Sequence, residues 1–253
     1  DHEYVDLGLP SGVKWATCNV GASSPEGYGD YFAWGETTTK SSYDENNCAS
    51  NKKDNAWLIS NGYIDNSGNL TPEHDAATAQ WGATWRMPTK AEIDELVDNT
   101  TAWWITNNAI EGFLVTSKIN GKSIFIPAEG YLDGSSLKLN GSRGYFWSST
   151  PVSNKSESSY EFFFTPDSYK CTTDGRRYGQ SVRPVFGGNI SADDDDKVYT
   201  AVDEPPTFPG GEAALLQYIA DNIRYPAVAQ KNNIQGRVVV QFVVTKTGKV
   251  GEV

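Results

Sequence analysis

Helical spacing of apolar residues is rare along this chain, and where it occurs the flanking residues set the ends of the element. Residues 87–97 predict a helix. Thr89 is its N-cap, Glu92 stands three residues on, and Ile93, Leu96 and Val97 form the apolar stripe. A weaker helix is predicted over 74–80, where Ala76, Ala77 and Ala79 favour the helix and Gly82 follows its end. A third covers 211–220, with Leu215, Tyr218 and Ile219 on one face and Pro209 and Gly210 marking its start. Pro226 opens a further short helical stretch.

Most other ordered segments read as strands. Residues 112–116 and 123–127 flank Asn120-Gly121, a strong hairpin signal. Strands are also predicted over 145–149, 160–164 and 181–185. Near the end, 236–244 is a strand, 245–248 a turn, and a return strand begins after it, so that the chain stops within an element. The fold class implied is α+β.

Texture divides the chain. Up to residue 188 it is rich in Trp, Gly, Asn and Ser; from 198 it shows clear helix and strand periods. Between them run Gly187-Gly188 and then Asp193 to Asp196 with Lys197, which cannot bury a core and reads as an acidic linker over 189–197. Four aspartates and a lysine also form a protease-cleavage sequence. The domains expected are therefore 1–188 and 198–253.

The 253 residues carry a net charge of −11, with 21 basic against 32 acidic side chains and no basic cluster, which excludes a nucleic-acid partner. No run is long enough to span a bilayer as a helix. The opening residues, Asp1 to Tyr4, have neither the basic nor the apolar part of a leader, so the chain is either cytosolic or has lost one. Eight Trp, 13 Tyr, 10 Phe and 24 Gly suit short strands and ordered loops, the texture of an extracytoplasmic binding domain.

Candidates for catalysis are sparse. His2 and His74 lie far apart, and no metalloprotease, nucleophile-elbow, phosphate-loop or dinucleotide motif is present. His74 reads as a surface residue, and Asp94 and Glu95 as a solvated helix face. Cys18, Cys48 and Cys171 are an odd number without zinc spacing, so at most one disulfide can form and neither metal nor cofactor is expected. Cys18 reads as buried, Cys48 as a loop residue, free or paired with Cys18, and Cys171 as exposed and without a histidine to activate it. Trp15, Trp34, Trp81, Trp85 and Trp147 read as core. Tyr160, Tyr169 and Tyr178 stand among Ser, Asn, Lys and Arg, a mix that suits either a binding surface or a solvated hairpin.

Two resemblances follow from longer stretches. Residues 4–22, Gly29 to Glu36, Trp85 to Thr89, Gly144 to Thr150 and Tyr178 to Val185 occur in the order of the major paralogous domain of Fibrobacter and Bacteroides-type secreted proteins. That likeness, over 3–186, implies a C-type-lectin-like fold, related to formylglycine-generating enzymes and to the variable proteins of diversity-generating retroelements. The calcium-lectin tripeptides are absent, and only Cys171 lies late in the domain, where those enzymes need a cysteine pair. By likeness to the retroelement proteins, the ligand face falls on the last strands. Its outward residues are expected to be Asn154, Lys155, Glu157, Tyr160, Asp167, Tyr169, Lys170, Asp174 and Arg176, with Trp147 and Arg183-Pro184 as frame.

The second likeness covers 198–253, through Pro206 to Leu215, Ile223 to Pro226 and Ile234 to Val244. It resembles the first part of a TonB C-terminal domain, a periplasmic family that pairs its sheet with a receptor strand. The family's second helix, final strand and anchor are missing, which leaves the strand edge at 238–244, with Val238, Val239, Val240, Val243 and Val244, open to a partner. Together these imply a secreted or envelope binding protein, non-catalytic, for a glycan or surface protein. A structural or adhesive component assembled by strand addition is the alternative, and an enzyme on the formylglycine-generating scaffold a third.

Overall fold

A computed structural model describes residues 2–187 and, beyond them, Gly211, Ala214, Leu215, Gln217 and Tyr218. The chain separates into two compact units, Asp1–Ala192 and Asp193–Val253. In the second unit the described residues are helical and fall within the predicted 211–220 helix. The linker 189–197 and the strand edge 238–244 lie outside the described residues.

The described part of the first unit is mostly β. In chain order it runs β1 (Tyr4–Val5), β2 (Lys14–Ala16), α1 (Asn55–Ser60), α2 (Ala76–Trp81), β3 (Trp85–Arg86), α3 (Lys90–Asn99), β4 (Thr100–Asn107) and β5 (Ile110–Ser117). It continues with β6 (Ser123–Pro127), β7 (Tyr131–Asp133), β8 (Ser136–Lys138), β9 (Gly144–Pro151), β10 (Ser158–Thr165), β11 (Ser168–Gly175) and β12 (Val185–Phe186). The sheets have orders β1-β2-β12-β3, β4-β5-β6, β11-β10-β9 and β7-β8. The first of them joins the two ends of the unit, since β12 pairs with both β2 and β3.

Local chemistry explains the elements that were legible. Thr89 accepts from the Glu92 amide while Glu92 accepts from the Thr89 amide, so the capping box of α3 is complete. Arg86 grips the same Glu92 with two bonds of 2.7 and 2.5 Å, which fixes β3 against α3. The helix expected over 74–80 is α2, capped by Asp75 and ended by Gly82 at φ +91°. β5 and β6 pair antiparallel as expected around Asn120-Gly121. The predicted 181–185 strand shrinks to β12, because Ser181 makes a single bridge to Phe146.

Two large apolar clusters and a small one around Ala33, Tyr43 and Cys48 hold the described part of the unit. Ile93 and Leu96 of α3 pack with Leu7, Trp15, Phe113, Phe146, Phe162 and Phe164, so α3 covers one face of β9–β10–β11. Phe32, Trp34, Leu58, Met87, Trp147 and Val182 form the second cluster among the loops. Fully burying each such side chain contributes about 1.5–3 kcal/mol.

Several polar expectations change. Glu95 is not merely solvated: its carboxylate accepts from the Ser11 amide at 2.7 Å and hydroxyl at 2.6 Å, anchoring the first loop. Asp94 pairs with Lys90 one turn back. His74 is half-buried, stacked on Tyr63 with ring centres 3.6 Å apart. Trp81 lies half-buried at the edge of the second cluster, while the other four tryptophans expected in the core are buried. All three cysteines are free, and Cys48 is buried.

Candidate functional site

The last hairpin has two faces, and strand alternation assigns each residue to one of them. Tyr160, Phe162 and Phe164 of β10 oppose Thr173, Cys171 and Tyr169 of β11. This is the face under α3. Ser159, Glu161 and Phe163 oppose Asp174, Thr172 and Lys170 on the other face, and β9 extends the rows with Trp147 beside Glu161 and Tyr145 beside Phe163.

That second face carries an open groove of about 310 Å³. Tyr145, Phe163 and Lys170 lie along the sheet, and Tyr131 of β7 and Tyr178 form the opposite wall. The rings brace one another edge to face: Tyr131 is 4.9 Å from Tyr145 and 5.2 Å from Tyr178. Arg177 lies over the Tyr178 ring at 4.4 Å and donates to Glu45 at 2.9 Å.

An acid pair closes the groove floor. Glu161 is 2% exposed and Asp174 half-buried. Gln180 Nε2 donates to Glu161 Oε2 at 2.6 Å and to Asp174 Oδ2 at 3.1 Å. Gln180 is itself pinned by backbone bonds with Phe32 in both directions. Burial pushes the Glu161 carboxyl well above the usual range, and the Asp174 charge pushes it further. Burial also raises Asp174, against the pull of the Gly175 amide, Gln180 and Arg177. Two acids this close, sharing one amide donor, hold a proton more readily than free carboxylates do.

The expected ligand face splits apart on this frame. Lys170 and Asp174 reach the groove. Asn154, Lys155 and Glu157 are exposed in the turn before β10, and Asp167 is exposed in the turn after it. Those turns sit at opposite ends of a strand pair roughly 24 Å long at 3.4 Å per residue. Tyr160 is on the α3 face, under the Lys90 ammonium at 5.3 Å. Tyr169 packs against Phe113 and Phe162 and donates its hydroxyl to Thr100 O at 2.8 Å, so it belongs to the core margin, not the ligand face.

Arg176 is the clearest correction. It is fully buried and donates to Ser50 O, Lys53 O, Ser158 O and Ser159 Oγ between 2.8 and 3.1 Å, with its guanidinium 4.7 Å over the Trp34 ring. Burial pushes it down to about 10. Its chemistry is that of a clamp across loops, whose open carbonyls would otherwise go unpaired. Trp147 and Arg183 are buried frame as expected.

Cys171, expected to be exposed, is half-buried on the α3 face, and burial with the Asp94 charge pushes its thiol up to about 12. A cavity of about 460 Å³ also opens near Cys18, His2 and Trp81. It has no convergent buried polar groups comparable with Glu161 and Gln180.

Glu161, Tyr131, Tyr145, Phe163 and Gln180 escaped the sequence reading. One signal was available: in Tyr160-Glu161-Phe162-Phe163-Phe164 a lone acid stands within an otherwise aromatic strand.

Family comparisons bear on both units. The family model of the Gram-negative bacterial TonB protein C-terminal matches residues 221–253. A family described as a Domain of unknown function (DUF8237) matches residues 86–185, a stretch that contains β9, β10, β11 and every groove residue named above. Neither the curated proteins nor the solved structures contain a match to the chain. The C-terminal segment is thus TonB-like over 221–253, a shorter span than the 198–253 expected.

Proposed function

We propose that this chain is a non-catalytic binding protein of the bacterial cell envelope, with a C-type-lectin-like domain over 1–188 that takes a glycan in the groove. The groove itself carries the reading: aromatic walls flank a buried acid pair, with Lys170 and Thr172 beside it. Flat rings offer faces for sugar C–H groups, and carboxylates, hydroxyl and ammonium offer partners for sugar hydroxyls. The joining of both ends of the unit through β2 and β12 supports a lectin-like scaffold. No helix among the described residues is long and apolar enough to cross a membrane. The TonB-like segment supports an extracytoplasmic place and a protein partner, met at the 238–244 edge by strand addition.

The test is an array of glycans and bacterial surface proteins probed with the full chain, with and without EDTA. A glycan hit lost on Tyr131→Ala, with unchanged melting, supports the groove. A hit on a surface protein that ignores groove variants moves the site elsewhere. Loss in EDTA reveals a cation requirement, and no hit at all overturns the reading.

A further inference from the structure

Among the described residues no cation sits in direct contact with the acid pair, and Arg177 acts on Asp174 only from a distance. Among the described residues neither Glu161 nor Asp174 takes part in a salt bridge. Nearby Arg177 is committed to Glu45 and Tyr178. Lys170 is exposed and stands in the neighbouring row, opposite Phe163. Gln180 offers a single nitrogen to both acids, and its own Oε1 is buried without a partner. Glu161 Oε2 is bonded, while its second oxygen has no protein donor among the described residues and belongs to a side chain that lines the groove.

A buried acid pair served by one amide is poorly compensated, and proteins rarely keep such a group without a use for it. A small cation entering the groove would supply the missing charge and the missing donors. The walls suit a cation as well. Tyrosine faces carry negative quadrupole charge, and one of them, Tyr178, already holds a guanidinium at 4.4 Å.

From this geometry we infer that the groove selects a sugar bearing a free amine, with its ammonium seated over Glu161 and Asp174 and its ring against Tyr131 and Tyr145. The inference rests on the groove being the ligand site and goes further, to the chemical class of the ligand. A sugar is favoured over a lysine side chain because Thr172 stands directly across from Glu161, and its hydroxyl has a use for ring hydroxyls but none for a methylene stem. The raised carboxyls fit the same picture: an arriving cation favours the ionised pair.

Calorimetry of the full chain near neutral pH would use three β-1,4-linked trimers, of glucosamine, N-acetylglucosamine and glucose, with N-α-acetyl-lysine methylamide as a fourth probe. The expected result is glucosamine trimer binding about tenfold tighter than either neutral trimer. Glu161→Gln removes the preference, so that the glucosamine trimer binds no tighter than the glucose trimer. Asp174→Asn does the same and stands in if the first variant melts early. Equal binding of all three trimers overturns the amine inference while the groove reading survives. Lysine amide binding as well as the glucosamine trimer overturns the sugar assignment in favour of a basic peptide. No binding by any probe overturns both.

Discussion

Gln180 Nε2 donates to Glu161 Oε2 at 2.6 Å, and this one bond ties the segment before β12 to the middle of the central hairpin. It also holds an acid in a place where little water reaches its charge.

A pH dependence follows. A carboxyl whose folded value is raised binds its proton more tightly when folded than when unfolded. Its effect on stability is therefore favourable at low pH and is lost as pH climbs from about 4 through the folded value. Asp133 and Arg177 act on Asp174, Glu129 interacts with Glu161, and Lys170 lines the same groove. Asp75, pushed up to about 6 by burial, acts in the same direction in wild type and variant alike and drops out of the difference. Glu161→Gln should match wild type in urea unfolding near pH 4 and exceed it increasingly towards pH 7. Parallel curves would show that the pair does not hold a proton.

Arg176 should be costly to change although it touches no ligand. Arg176→Lys keeps the charge but cannot reach four acceptors from one nitrogen. A loss of about 2–4 kcal/mol is expected by urea unfolding. A loss under about 1 kcal/mol would mean that the loops bearing Ser50 and Lys53 close without it.

Gly130 leads directly into Tyr131 and the groove wall. Its φ is +70°, and a Cβ there would lie 2.0 Å from Lys138 O and 2.6 Å from the Asn140 amide nitrogen, both backbone atoms. Gly130→Ala should destabilise by about 3 kcal/mol, from left-handed strain and overpacking together. Any glycan hit should weaken with it, because β7 and β8 must move. Thermal melting with binding on the same sample checks both.

Thiol titration separates the binding reading from an enzymatic one. Cys48 is buried between Ser50 and the Arg176 carbonyl, and burial raises its thiol. Cys171 is pushed up to about 12. Ellman's reagent at mildly alkaline pH should find at most Cys18 in the folded chain and all three thiols in urea. Rapid reaction at Cys171 in the folded state would revive the cysteine-dependent enzyme.

Short-range signals carried the sequence reading. Thr89 with Glu92, Asn120-Gly121 and the aromatic run over 160–164 each act within a few residues, so composition and spacing reveal them. β7 and β8, the Asp54-capped α1, and the long β4 were missed. β4 alternates weakly, and β7 and β8 are too short to show a period. Tyr169 and Arg176 were misplaced for a related reason. A tyrosine or arginine among polar neighbours looks solvent-facing until the element packed against it is known.

What the chain determines alone is therefore local: the start of α3, the hairpin at Asn120-Gly121, the acidic break near 193–197, and the TonB-like motif at 221–253. The folded unit decides which face of the last hairpin α3 covers, and so which of Tyr160, Glu161 and Tyr169 can meet a ligand. It also brings Gln180 to Glu161 across 19 positions and Arg176 to Ser50 across 126. Burial and charge proximity in the groove arise from contacts between distant segments, and one-dimensional spacing carries no record of those contacts.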